Sequence, residues 1–258
     1  MKLALRELRI AFGGRVVVDI DAFGVDEQEI VGLVGESGSG KSMTALAVLG
    51  LAGAAGASLS GSITLDGREL VGLDERQLRD VRGRRIAAIF QSPLSSFSPV
   101  FRVGDVFVRA LRLHGVPRGE ATARAEHALR EVLLEPDLLR RYPHQLSGGQ
   151  AQRIAIALAV ALRSEVLLAD EPTSALDVTV QAEIIELLRM LRERERMSVL
   201  FISHDLAVVA QLCDRVAVMR AGRIVESGAT RDVLRQPAEA YTRELLAAVP
   251  RIGAGRAA

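Results

Sequence analysis

Cysteine is nearly absent from these 258 residues: Cys213 is the only one. That excludes an intrachain disulfide and a cysteine-based metal cluster, and it fits a reducing cytosol. Lysine is almost as scarce, with Lys2 and Lys41 the only two among 33 Lys+Arg. Aromatic residues amount to seven Phe and two Tyr. Neither sign of charge dominates, because 32 Asp+Glu leave a net charge of +1. Bulk electrostatics therefore give no argument for nucleic acid or an anionic membrane surface. Long apolar runs are missing as well. Residues 45–59 are rich in Ala and Gly, and residues 154–162 are bounded by Arg153 and Arg163. Both fall short of the roughly 20 strongly apolar residues a spanning helix needs. The start, Met1-Lys2-Leu3-Ala4-Leu5-Arg6-Glu7, lacks the apolar core of a secretory signal. The expectation is a soluble chain, or one attached to a membrane through another protein. What remains is an ordinary globular mix, 49% hydrophobic and 25% charged, long enough to bury most of its apolar surface.

Against that background one stretch stands out. Gly35-Glu36-Ser37-Gly38-Ser39-Gly40-Lys41-Ser42 fits the phosphate-binding pattern G-x-x-x-x-G-K-[ST] at every fixed position. The apolar run Ile30–Val34 before it reads as a buried parallel strand, and the residues from Met43 to Leu49 as the opening of a helix. The glycines let successive backbone N–H groups point inward at phosphate oxygens, aided by the positive end of the helix dipole. Lys41 then reaches the β- and γ-phosphates, and the Ser42 hydroxyl takes a position on Mg²⁺. A chain that otherwise uses arginine has kept lysine here, where a compact charge on a flexible stem is wanted.

Elsewhere the pattern alternates strands and helices, which implies a parallel sheet with helices packed around it. Residues 1–30 read as antiparallel strands with a Gly13-Gly14 turn. Phe12, beside that turn, is either core or, if it stands near the phosphate loop, a ring that stacks on adenine. Residues 60–67 form a strand closed by Asp66-Gly67, and residues 84–90 a strand ending at Gln91. A loop over 92–101 follows, then helices over 103–163 broken near 115–117 and 135–137, a subdomain inserted into the nucleotide-binding core. Residues 166–169 are a buried strand ending in Asp170-Glu171, 179–196 an amphipathic helix, and 198–203 a strand ending at His204. His114 and His127 read as helix-surface residues, and Cys213 as a small core residue. The tail, helical over 231–246 around Pro237, carries no chemistry that its residues name.

Two adjacent carboxylates at the C-terminal edge of a parallel strand belong beside the phosphate loop. Asp170 would hold Mg²⁺ and Glu171 would act as general base on the attacking water. Leu146-Ser147-Gly148-Gly149-Gln150 makes a second glycine-rich helix start and so a second anion site. One nucleotide does not need two cradles, and the physical resolution is a dimer in which this turn closes over the triphosphate held by another chain.

With these motifs assembled, the sequence resembles the ATP-binding-cassette (ABC) ATPases over about residues 3–230. The phosphate loop, Gln91, Leu146–Gln150, Asp170-Glu171, Ser174-Ala175-Leu176-Asp177 and His204 occur in that family's order and spacing. The resemblance implies an α/β fold of the P-loop NTPase type, a RecA-like core with an antiparallel β subdomain plus an inserted α-helical subdomain. Its parts are a core over 1–91 and 164–230, a helical signature subdomain over 92–163 and a tail over 231–258, all in one ATPase domain. It implies ATP and Mg²⁺ as ligands. Catalysis falls to Glu171, His204 and Gln91, and metal binding to Ser42, Gln91 and Asp170. Nucleotide contacts fall to Phe12, to Gly35, Glu36, Ser37, Gly38, Ser39, Gly40, Lys41, Ser42 and Met43, and to Ser147, Gly148, Gly149, Gln150 and Asp177. Asp177 faces the partner chain, Phe12 stacks on adenine, and His204 contacts the γ-phosphate.

The text around the motifs is narrower. Residues 142–149, 177–182, 204–210 and 236–246 look like the peptide/nickel importer group. Gln145 stands where that group usually has Glu, and Ala151 where a long polar or basic residue is usual. The cysteine-bearing C-terminal extension of several members is missing, which makes the form more like nickel or metallophore importers than the oligopeptide branch. The group implies an ATP-hydrolysing subunit of an importer, energising uptake of peptides, nickel or metal-chelate and opine-like solutes. Its partners are a second cassette, with a related chain favoured over an identical one, two membrane permease subunits and, indirectly, an extracytoplasmic solute-binding protein. Its place is peripheral, on the cytoplasmic face of the inner membrane, with no nucleic acid. The loop after Gln91, with Pro93, Leu94, Phe97 and Phe101 expected exposed, is the candidate docking surface. The competing readings are a soluble ABC ATPase acting on nucleic acid or the ribosome, and a catalytically dead regulatory cassette.

Overall fold

The computed structural model describes residues 1–174 and 176–248. Ala175 of the motif above, and the end of the tail, lie outside the described residues. In chain order the strands are β1 (Leu3–Phe12), β2 (Arg15–Val25), β3 (Ile30–Val34), β4 (Ser58–Leu65), β5 (Arg68–Glu69), β6 (Ile86–Ile89), β7 (Val166–Asp170), β8 (Ser198–Ser203), β9 (Arg215–Arg220) and β10 (Arg223–Ala229). The α-helices are α1 (Lys41–Val48), α2 (Glu75–Val81), α3 (Pro93–Ser96), α4 (Val103–Leu113), α5 (Arg118–Glu131), α6 (Gly148–Leu162), α7 (Val178–Arg194), α8 (Leu206–Leu212), α9 (Thr230–Arg235) and α10 (Ala240–Ala247).

Strands β2-β1-β4-β5 form an antiparallel sheet. Gly13 and Gly14, both at positive φ, turn β1 into β2, and Asp66 and Gly67 do the same between β4 and β5, as the two-residue hairpin turns require. The second sheet runs β10-β9-β3-β8-β7-β6. Its pairings are parallel except for β10, which closes one edge antiparallel to β9.

The period of two decides which face of this sheet meets which layer. In β3, Ile30 and Val34 join the core built with α4 to α8, while Val31 and Leu33 join the core shared with α1 and the antiparallel sheet. β7 repeats this, with Leu167 and Ala169 toward the helices and Val166 and Leu168 toward the other side. β8 follows suit through Val199 and Phe201 against Leu200 and Ile202. The parallel register, Ile30 beside Val199 and Leu167 beside Val199, keeps like faces together. A sheet buried on both faces explains why these strands read as continuous apolar runs. Among the described residues no helix is long and apolar enough to cross a membrane.

The stretch after Gln91 departs from expectation. Pro93 to Ser96 form one helical turn, and Phe97 is only 7% exposed, where exposure was expected. Its ring belongs to the core that holds Phe107, Leu146 and Ile154, because the single turn folds it inward over α6. Leu94, Val100 and Phe101 are exposed, and Pro93 is half-buried. His114 is likewise half-buried rather than on an open surface, caught at the end of α4 against the turn at Gly83. Burial, reinforced by Arg84, holds its pKa below the usual histidine value.

Candidate active site

The loop between β3 and α1 has a backbone that only glycine serves. Gly35 has φ +153°, and a Cβ there would stand 2.1 Å from the Met219 carbonyl oxygen. Gly40, at φ 110°, occupies the cap position of α1 and no side chain closes that helix start. Its first N–H groups are therefore left for an outside acceptor. The Lys41 ammonium folds back on the loop, donating to the carbonyls of Gly35 at 2.7 Å and Glu36 at 2.8 Å and to Ser39 Oγ at 3.4 Å. Burial lowers its pKa, and the carboxylates of Glu171, Asp170 and Glu36 oppose that shift.

β7 delivers the acidic pair from the adjoining part of the same sheet edge. Asp170 is 6% exposed. Burial raises its pKa against a hydrogen bond from Ser42; Glu171 adds to the rise and Lys41 opposes it. Its Oδ1 atom is buried with no hydrogen-bond partner, the state of a ligand atom waiting for a cation. No cluster of three or more acidic, His or Cys side chains able to hold a metal exists among the described residues. One carboxylate beside a hydroxyl suits Mg²⁺, which takes most of its ligands from phosphate and water.

Glu171 turns out of the strand at φ 50°. That left-handed backbone is fixed by its N–H to the Ile202 carbonyl at 2.9 Å and by the Ser174 hydroxyl donating to its own carbonyl at 2.9 Å. Its carboxylate lies between two side chains from different strand ends. His204 Nδ1 is 2.9 Å from Oε1, and Gln91 Nε2 donates to Oε2 at 3.3 Å.

A cleft of about 610 Å³ collects Phe12, Val17, Ser37, Gly38, Gly40, Lys41, Ser42, Met43, Gln91, Asp170, Glu171 and His204. Phe12 thus lines the cleft and belongs to neither hydrophobic core, which decides between its two sequence readings as far as position goes. Gly35, Glu36 and Ser39 support the loop from behind and do not line this cleft. Ser147, Gly148, Gly149, Gln150 and Asp177 are also outside it. Ser147 Oγ accepts from the Gln150 N–H at 3.2 Å while Gln150 Oε1 accepts from the Ser147 N–H at 3.0 Å, a reciprocal cap on α6. Asp177 caps α7 through the Val180 N–H at 3.0 Å. Gly149 lies against Val180, so closely that a Cβ would come 2.8 Å from its Cγ1.

Sequence reading missed two residues at the site, Val17 in the cleft lining and Tyr241 behind the loop. The Tyr241 hydroxyl oxygen, from the tail, accepts the Glu36 backbone N–H at 3.2 Å. The signal was there in outline: Tyr241 is one of only two tyrosines.

The family model described as ABC transporter matches residues 18–174. The chain belongs to the ABC transporter family. As an ABC cassette it binds and hydrolyses ATP. It is 49% identical over 238 residues to the probable peptide ABC transporter ATP-binding protein y4tR of Sinorhizobium fredii, covering 91% of this chain and 71% of that protein. It is 48% identical to the peptidoglycan transport ATP-binding protein YejF of Agrobacterium fabrum, covering 96% of this chain. It is 46% identical to the glutathione import ATP-binding protein GsiA of Escherichia coli K12, covering 90% of this chain. The chain spans 47% of YejF and 39% of GsiA, less than half of either. Among solved structures, the dimeric ABC cassette MJ0796 bound to ADP and Pi in a post-hydrolysis state superposes with a TM-score of 0.75 at 27% identity, over 89% of this chain and 99% of that one. These relatives agree with the peptide side of the peptide/nickel-importer resemblance read from the sequence; none of the three is named for nickel or a metallophore.

Proposed function

We propose that this ABC ATPase energises the uptake of a peptide-class solute through separate membrane subunits. The observation that carries the chemistry is the meeting of Lys41, Ser42, Asp170, Glu171, Gln91 and His204 in one cleft beside an uncapped helix start. The triphosphate of ATP lies along the loop from Gly35 to Ser42 with adenine on Phe12, and Lys41 leaves the Gly35 and Glu36 carbonyls for the β- and γ-phosphates. Ser42, Asp170 Oδ1 and Gln91 are the groups that would hold Mg²⁺, which when bound neutralises phosphate charge. Glu171 takes a proton from the water that attacks the γ-phosphorus; the bond to the β-phosphate oxygen breaks, and ADP and phosphate leave. His204, already against Glu171, fixes that carboxylate and reaches the γ-phosphate.

Ser147–Gln150 and Asp177, outside this chain's own cleft, serve the nucleotide of a second cassette, and a related chain is the favoured partner. Leu94, Val100 and Phe101 are the exposed apolar side chains that dock on the permease subunits; Phe97 is not available for it. That docking puts the protein at the cytoplasmic face of the membrane, with a solute-binding protein supplying the permease from outside. An ATPase acting on nucleic acid or the ribosome is not favoured, since the relatives are named for transport.

The test is light scattering on Glu171→Gln with and without Mg-ATP, alone and with a co-expressed related cassette. ATP-dependent dimerisation in either setting is expected. A chain that binds ATP and stays monomeric in both sinks the shared-site reading.

A further inference from the structure

We propose that Tyr241 of α10 is a positioning residue for ATP binding, holding the start of the phosphate loop by taking the Glu36 N–H on its hydroxyl oxygen. The inference rests on residues 35–42 being the phosphate cradle, and it gives the tail a role in the ATPase reaction.

The backbone of Glu36 is engaged at both ends, its carbonyl by Lys41 at 2.8 Å and by the Ser39 N–H at 3.2 Å, and its N–H by Tyr241 at 3.2 Å. The first bond is lost when Lys41 turns to phosphate. The Tyr241 bond is not, and unlike the Ser39 bond, which lies within the loop, it restrains Glu36 from a separate element during binding. A strut of this kind must itself be fixed, and three contacts fix it. Tyr241 is 4% exposed, and the Arg220 guanidinium lies over its ring at 4.6 Å. The start of α10 is tied to β10, where Glu226 accepts from the N–H groups of Ala238 at 2.8 Å and Glu239 at 3.2 Å.

Arg220 ends β9, next to a hairpin tip that braces the loop at a second point: the Gly222 N–H donates to the Ser39 carbonyl at 2.9 Å. The loop is thus held from behind at Glu36 by the tail and at Ser39 by the hairpin, and the Arg220–Tyr241 contact joins the two braces. A loop pre-set in this way spends less binding energy on its own ordering when phosphate arrives.

Tyr241→Phe keeps the ring and its packing and removes only the acceptor. Its ATP affinity is to be measured by displacement of a fluorescent ATP analogue from the full chain, beside thermal unfolding without nucleotide and steady-state ATPase. The expected result is a rise of about fivefold in both Kd and KM for ATP, with kcat within about twofold and the melting temperature unchanged. Tyr241→Leu, which loses ring and acceptor, should weaken binding further and also lower the melting temperature. Wild-type ATP affinity in Tyr241→Phe overturns the proposal, as does a loss of binding that only tracks a loss of stability. Failure of the wild-type chain to bind ATP at all would instead overturn the cradle itself.

Discussion

Two glycine-rich helix starts in this chain look alike in sequence and differ in what they do with their N–H groups. The start of α1 is capped by Gly40, which has no side chain to offer, and its neighbourhood holds a buried carboxylate oxygen without a partner. The start of α6 is closed on itself by Ser147 and Gln150. The first leaves its N–H groups open to an outside acceptor. At the second, the N–H groups of Ser147 and Gln150 are in use, so a phosphate that needs them must compete with a cap worth about 1 kcal/mol. The lesson is that a dipole and a glycine turn make an anion site only where the cap is missing or can be displaced.

That contrast can be broken, and the heaviest blow falls on the open end. Glu171→Gln should cut kcat by about 10²–10⁴-fold while ATP still binds; hydrolysis near the wild-type rate would move the chemistry out of this cleft altogether. Next is Ser147→Asp. Aspartate caps a helix as well as serine does, so the melting temperature should hold, but a carboxylate facing phosphate should lower ATPase activity of the assembled dimer at least about tenfold. Full activity would mean that α6 starts with a cap and nothing more.

The smallest effect concerns Asp170. Its pKa is raised by burial, so in the fold the ionised form is the disfavoured one. The resulting loss of stability is present above the raised pKa and disappears as pH falls through it. Asp170→Asn should therefore melt at a higher temperature than the wild type near neutral pH, and the gain should shrink as the pH is lowered toward the ordinary aspartate range. A difference that stays constant with pH would remove the buried charge as its cause.

The open helix start was legible because every part of it is local. Residues 30–49 carry strand, turn glycines, lysine and helix in one uninterrupted text, and the fold adds only the neighbours. Asp170-Glu171 and His204 were legible at one remove, as ends of apolar runs whose parallel pairing places them together. What failed were residues whose state is set by distant chain. Phe97 reads as a loop aromatic, and only the packing of α3 over α6 buries it. Tyr241 meets Glu36 across 205 positions, and no local periodicity carries such a link. The Ser147 cap lay between these cases: Ser-x-x-Gln is a known helix-start pattern, but the same letters also read as a cradle, and the sequence offers no means to rank them.

One contact at the closed end has a mechanical consequence. Because Gly149 has no Cβ, the start of α6 lies flush on Val180 in the first turn of α7, and Asp177 caps that same turn. The starts of the two helices are thereby packed directly against each other. A displacement of Ser147 is therefore expected to press on the segment that begins at Asp177, six residues downstream of Glu171.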